Sequence, residues 1–237
     1  MMKLAQVLYS QGFGTRRECA GLIRAGHVAL GGVVCADPWH EVEPEGLVFS
    51  VRGEAWPYHA KALVLLHKPS GYECSQKPKH HPSVMSLLPL PLRVRGVQPV
   101  GRLDEDTTGL LLLTDDGALI HRLTSPRKHV PKVYEIGTID PVTAKQIEEL
   151  RRGVILHDDP LPVRAADCEQ TGEHALRMTL LEGKYHQVKR MVAATGNTVQ
   201  ALHRSRYGVL ALPDRLKPGE WCWLSGSREV LGEKLAN

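Results

Sequence analysis

Several things are scarce in this chain of 237 residues. Aromatic residues make up 5% of it, with two phenylalanines. A glycosidase acting on free sugars wants a cleft rich in aromatic rings and two separated carboxylates, so that class fits poorly. The five cysteines (Cys19, Cys35, Cys74, Cys168 and Cys222) are odd in number and scattered, with no CxxC pair. Their spacing argues against both a zinc site and a disulfide framework, and reduced thiols in the cytoplasm are the expectation. No run approaches the roughly 20 apolar residues of a membrane span. The stretch MMKLAQVLYSQGFGTRRE has neither a long apolar core nor a small-residue cleavage site, so no secretory signal is expected there. A phosphate-cradling GxxxxGK[ST] loop is missing, as are internal repeats and low-complexity tracts. Neither sign of charge dominates: 30 Lys and Arg against 26 Asp and Glu leave a net +4. Net charge alone therefore names no partner, and where the cations cluster matters more.

The most informative segment is Gly101–Thr114, GRLDEDTTGLLLLT. It joins a loop holding three carboxylates to four leucines in a row. The leucine run is short and bounded by turn residues, so it reads as a strand buried on both faces. A charged loop attached to such a strand holds its side chains rigidly beside the core, which suits a carboxylate that must be aimed and desolvated. Two other readings compete on residues alone. Asp104 and Asp106 could bond backbone N–H groups in a tight turn, as Asp commonly does. Alternatively, the D-x-D pair with Asp115 and Asp116 could ligate magnesium for phosphoryl transfer, a reading weakened by the missing phosphate loop.

Along the rest of the chain, Leu4, Val7 and Leu8 recur at helical spacing over 3–11. Thr15 is a good N-cap for a second helix, Arg16 to Ala25, with Gly26 at its C′ position. HVALGGVVCAD reads as a hairpin turning at Gly31-Gly32. Residues 53–61, GEAWPYHAK, have the composition of a linker, which places a small first domain at 1–58 and a large second one at 62–232. The polar, Pro-punctuated stretch 76–99 reads as a loop. Asp115 or Asp116 can cap a short helix over GALIHRLTS, KVYEIGTI is a strand, and Asp140-Pro141 caps a helix over VTAKQIEELRR that ends at Gly153. Strands over 163–169 and 175–181, a helix from Tyr185 to Thr195 and two further strands complete the reading. The order mixes hairpins with helices without a βαβ rhythm. The expected class is therefore α+β, with a largely antiparallel mixed sheet flanked by helices.

GRLDEDTTGLLLLT resembles the signature of the RNA pseudouridine synthases of the RsuA/RluB/RluE/RluF group. HKPSGYECS (67–75), TDDGALIHRLTSPRKHVPKVYEI (114–136) and EGKYHQVKRMVAATGNTVQALHRSRYG (182–208) resemble further blocks of that group, in the same order. GTRRECAGLIRAGHV resembles the RNA-binding domain shared with a ribosomal protein. The resemblance implies a small ribosomal-protein-like RNA-binding domain followed by a pseudouridine synthase catalytic domain. Its reaction breaks the C1′–N1 bond of a uridine, rotates the base and rejoins it through C5, with no metal and no organic cofactor.

By motif position Asp104 is the catalytic carboxylate, acting as nucleophile or as base, with Asp106 the weaker candidate. The family supplies a cation from the HQVKRM block, which points to Lys189 as partner of Asp104, with Arg190 able to substitute. The two lie about 100° apart on a helix, so only one can face the site. Arg102 would hold the flipped nucleotide or a phosphate, and Tyr134 would lie against the target base. RNA contacts are expected from Arg16, Arg17, Arg24, Lys77, Lys79, His203, Arg204 and Arg206. The implied partner is ribosomal RNA or an assembling ribosomal subunit, most like the small-subunit member of the group. No membrane partner is implied, and a monomer is expected. An RNA-binding or assembly factor that kept the fold without turnover is the other class of reading; the intact Asp104, Tyr134 and Lys189 set favours the enzyme.

Overall fold

The computed structural model describes residues 1–232. The chain forms two compact units: Met1–Ala62 with Leu88–Gln98, and Leu63–Leu87 with the chain from Pro99 onward. In the first, β1 (Met2–Lys3) leads into α1 (Leu4–Ser10), which buries Leu4, Val7 and Leu8. α2 (Arg16–Arg24) begins at Thr15. Its hydroxyl accepts from the Glu18 N–H at 3.2 Å and the Glu18 carboxylate accepts from the Thr15 N–H at 2.7 Å, a reciprocal capping box. β2 (Val28–Leu30) and β3 (Val33–Val34) form the expected hairpin. Gly31 and Gly32 both have positive φ, as a two-residue turn of this kind requires. β4 (Glu41–Val42) pairs with β1, while β5 (Val48–Val51) and β6 (Glu54–Pro57) complete a sheet of order β3-β2-β5-β6.

The supposed linker at 53–61 is thus in large part a strand. Arg52 and Gly53 take positive φ and reverse the chain, and Trp56 then packs edge-on against Phe13 with ring centroids 5.1 Å apart. Composition misled here because a tight hairpin and a linker use the same Gly and polar residues. The 76–99 stretch is also more structured than a loop. It holds α3 (Leu90–Val94), with Leu92 fully buried. The Arg95 guanidinium donates to the Gln11 side chain at 2.9 Å and to the His59 carbonyl at 2.9 Å. Gly12, at φ +90, makes this packing possible: a Cβ there would lie 2.1 Å from the Pro91 carbonyl oxygen. Leu88–Gln98 thus packs within the first compact unit although it follows residue 62 in the chain.

The second unit is built on β7 (Leu63–Lys68), β9 (Thr108–Thr114) with the short β8 (Gln98–Pro99) paired to it, α4 (Gly117–Thr124), β10 (Lys132–Thr138) and α5 (Ala144–Arg152). β11 (Asp167–Gly172), β12 (Ala175–Leu180), α6 (Gln187–Ala194), β13 (Val199–Tyr207), β14 (Leu210–Ala211), β15 (Trp221–Trp223) and α7 (Ser227–Leu231) follow. The main sheet runs β11-β12-β10-β13-β9-β7-β15. Its neighbours are antiparallel except β13 against β9, so the sheet is mixed and largely antiparallel. Gly109 through Thr114 are all buried. Leu110 and Leu112 join Leu63, Leu65, Tyr207 and Val230 in one cluster, while Leu111 and Leu113 are buried on the opposite face. Asp116, not Asp115, caps α4 by accepting from the Ala118 and Leu119 N–H groups. α5 starts at Thr143 rather than Asp140, because Thr143 and Gln146 close a capping box that Asp140 cannot.

Candidate functional site

The loop between β8 and β9 is fixed before any of its carboxylates is used. Its turn closes through the main chain, with the Thr107 N–H donating to the Asp104 carbonyl at 3.1 Å. Beneath it lies Lys68, the last residue of β7 and fully buried. Its ammonium donates to the carbonyls of Thr107 (2.8 Å), Glu105 (2.9 Å) and Pro69 (3.1 Å), using all three of its donors. Burial holds its pKa below the ordinary lysine range, against the pull of Glu105, Asp106 and Asp104. A second constraint comes from Gly109. It sits at φ +106, where a Cβ would lie 2.3 Å from the Arg204 carbonyl oxygen, so β9 can meet β13 only with glycine here.

With the turn closed by backbone groups, the carboxylates face side chains. Lys189 on α6 contacts both: Asp104 at 3.3 Å, and Asp106 through both oxygens at 2.7 and 2.8 Å. The expected Lys189–Asp104 pair is therefore a shared one, with Asp106 the closer partner. Burial pulls the Lys189 pKa down, but the bond to Asp106 and the charges of both aspartates outweigh it, and the group stays above the usual lysine value. Asp104 is also approached by His186, Nε2 to Oδ1 at 3.2 Å. The Asp104 side chain is 28% exposed against 53% for Asp106. Arg190 turns away from both. It pairs with Asp158 and donates to the Tyr185 carbonyl, as the ~100° step from Lys189 demands.

These residues line a cleft of about 830 Å³, whose walls include Arg102, Tyr134, Leu202, Glu182 and the 184–189 turn. Tyr134 is 8% exposed on β10; Arg102 is exposed. Lys79 reaches the same cleft, on a loop organised by Glu73. That carboxylate accepts from the backbone N–H groups of His80, His81 and Lys79, which pull its pKa down to about 2. Lys77 is exposed nearby but does not line the cleft.

The expected RNA-binding cations separate into two kinds. Arg16, Arg17, Arg24 and Arg206 are exposed. Arg204 is not: it is 2% exposed, its Nε donates to the Leu110 carbonyl at 2.8 Å, and its guanidinium lies 5.0 Å from the Tyr207 ring centre. Alternation along β13 puts it inside, so as a surface phosphate contact it is corrected to a core residue. His203 is half-buried, with Nδ1 at 2.8 Å from the Thr108 hydroxyl. Burial, with the neighbouring His67 adding to it, lowers its pKa.

Lys68 and His186 are the two residues of the site that sequence reasoning missed. Each had a signal. Lysine closing an apolar strand needs acceptors at its end, and His186 stands three residues before Lys189, at the N-cap of the same helix.

The site thus consists of a mixed sheet carrying an aspartate loop opposite a lysine-bearing helix, in a chain that begins with a small helix-and-hairpin unit. The RNA pseudouridylate synthase family model matches residues 62–194 and an S4 domain model matches residues 2–48. The chain belongs to the RNA pseudouridylate synthase family. It is 39% identical over 213 residues to the ribosomal small subunit pseudouridine synthase A of Escherichia coli, spanning 90% of this chain and 92% of that one. It is 36% identical over 238 residues to an uncharacterized RNA pseudouridine synthase of Bacillus subtilis, spanning 99% and 97%. A crystal structure of a pseudouridylate synthase superposes with a TM-score of 0.68 at 33% identity, covering 98% of this chain and all of that one.

Proposed function

We propose that this cleft converts uridine to pseudouridine in ribosomal RNA, of the small subunit as the name of the Escherichia coli relative has it, and that Asp104 is the reacting carboxylate. The observation that carries the assignment is the placement of Asp104. It is the more sheltered of the two aspartates, it lies between Lys189 and His186, and it sits on a loop whose backbone Lys68 pins from below. Whether Asp104 attacks C1′ or takes a proton, the Lys189 ammonium lies within reach of its carboxyl group at 3.3 Å. Asp106 holds Lys189 in place through two short bonds. The reaction is an isomerisation: the C1′–N1 bond breaks, the base turns, C1′–C5 forms, and the proton lost at C5 is balanced by one gained at N1.

A stacked uridine cannot reach this carboxylate. Extruding it costs a few kcal/mol, offset by backbone contacts from the exposed arginines of α2 and by stacking on Tyr134, worth ~1–3 kcal/mol. The protein then acts as a monomer, in the cytoplasm where ribosomal subunits assemble. The test is single-turnover pseudouridine formation on transcribed small-subunit ribosomal RNA. Asp104→Asn keeps the shape and removes the charge, so turnover is abolished while RNA affinity stays close to that of the parent. Near-normal turnover would overturn the assignment, and loss in Asp106→Asn alone would move the role two residues along.

A further inference from the structure

Tyr185 is a large aromatic residue left 75% exposed, which by itself is ordinary for a surface. Three features set it apart. It lines the cleft that holds Asp104. Its ring stacks on His186, with centroids 3.9 Å apart and planes within 15°, and that same imidazole reaches Asp104 at 3.2 Å. A row of two parallel rings therefore leads from the reacting carboxylate outward, and the exposure of Tyr185 falls on its outer face and edges because its inner face is covered.

The turn that carries the ring is also built to hold still. Gln187, 4% exposed, accepts from the Lys184 N–H at 2.8 Å and donates to the Glu182 carboxylate at 3.1 Å. Arg190 donates to the Tyr185 carbonyl at 3.1 Å while pairing with Asp158, and Lys184 pairs with Asp159. His186 itself sits at φ +46, a left-handed conformation uncommon for a residue with a side chain. An unusual backbone held from several sides, in order to present an uncovered ring, points to something that stacks on that ring.

We propose that Tyr185 is a stacking platform for an RNA base adjacent to the extruded uridine. The target ribose must come to Asp104, and its base has Tyr134 in the same cleft. The outer face of Tyr185 is separated from Asp104 by the whole His186 ring, so the base it receives belongs to a neighbouring nucleotide. Stacking accepts any base, since every base has a π-face, and the platform thus contributes affinity and register rather than sequence choice. The inference rests on the RNA-directed reading of the cleft.

The experiment measures binding of the full chain, in an Asp104→Asn background that blocks turnover, to an eight-nucleotide oligouridine and to an abasic oligonucleotide of the same length and charge. Tyr185→Ala is expected to weaken oligouridine binding about tenfold and to leave abasic binding unchanged; Tyr185→Phe keeps the parental values. Equal losses on both probes, or no loss on either, would overturn the platform. So would a Phe variant that behaves like Ala, because that assigns the effect to the hydroxyl. Binding needs no catalysis. If the parent chain, with Asp104 intact, forms no pseudouridine while the binding assay keeps a Tyr185-dependent preference for bases, the isomerase reading is refuted and the platform stands.

Discussion

The arginines of α2 and the buried cations of the second unit carry the same charge under opposite conditions. Arg16, Arg17 and Arg24 stand in solvent on a short helix. Lys68, Lys132 and Arg204 are buried, and each donates to the main chain: Lys68 to three carbonyls, Lys132 to Val130 at 3.0 Å, Arg204 through Nε to Leu110. Lys132 and Arg204 also lie 5.1 and 5.0 Å from the Tyr207 ring. An exposed cation contributes little to its own fold, so its value depends on what arrives from outside. A buried cation has lost its water, and unless carbonyls or rings replace that water the fold suffers. Basic residues in one protein thus divide into those left in solvent and those that bond the protein's own main chain.

Lys189 lies between the two cases, half-sheltered and shared by two carboxylates, and its removal sharpens the comparison most. Lys189→Met leaves two adjacent aspartates without the cation they share. Single-turnover rate at saturating RNA should fall about 100-fold, some 3 kcal/mol. An unchanged single-turnover rate with weakened RNA binding would mean that Lys189 serves the RNA backbone instead.

Lys68→Met tests the tying role. Three carbonyls lose a charged donor while the desolvation cost of the ammonium is relieved, so the net loss should be about 2–3 kcal/mol, read from the urea midpoint. Unchanged stability with lost activity would make Lys68 a site residue rather than a loop anchor.

Lys132 allows a subtler test through pH. Burial, with Arg204 adding to it and Glu182 opposing, lowers its pKa from 10.5 to about 8. The folded pKa lies below the unfolded one, so the charged form costs stability below pH 8. Between about 8 and 10.5 the unfolded chain holds a proton that the folded chain has released, and stability therefore rises with pH across that window. Lys132→Met should abolish that rise, on the order of 3 kcal/mol. A variant that keeps the same slope would place its origin elsewhere.

The smallest effect on folding belongs to the exposed set. Replacing Arg16, Arg17 and Arg24 together by Ala should leave the melting temperature nearly unchanged. The salt dependence of RNA binding should flatten by about 0.7–0.9 in log–log slope for each phosphate that is no longer neutralised, taking the DNA values as a guide. If the slope holds, these arginines do not touch RNA, and the contrast between the two sets of cations loses its functional half.

Much of this is legible in the chain alone. Four leucines bounded by turn residues read as a strand buried on both sides, and β9 is one. Thr15 with Glu18 announces the start of α2, and Gly31-Gly32 the hairpin. Elsewhere local chemistry is ambiguous. GEAWP has the composition of a linker and the geometry of a strand, because what decides is whether Trp56 finds Phe13. HRSR in β13 looks like four surface residues, yet the alternation of a strand sends Arg204 inward.

The sequence by itself determined most of the elements and their order, since periodicity and capping are local properties of a chain, and its resemblance to a family singled out Asp104, Tyr134 and Lys189 as candidates. Only the tertiary structure decided their partners: Lys189 shared between Asp104 and Asp106, His186 beside Asp104, Lys68 under the loop, and Leu88–Gln98 packed with the first unit. The physical reason is that the pairs joining loop to helix and loop to strand lie 83 and 37 residues apart along the chain. No local preference reaches that far. Those contacts are selected by burial, which acts on the folded whole and requires every desolvated charge to find an acceptor.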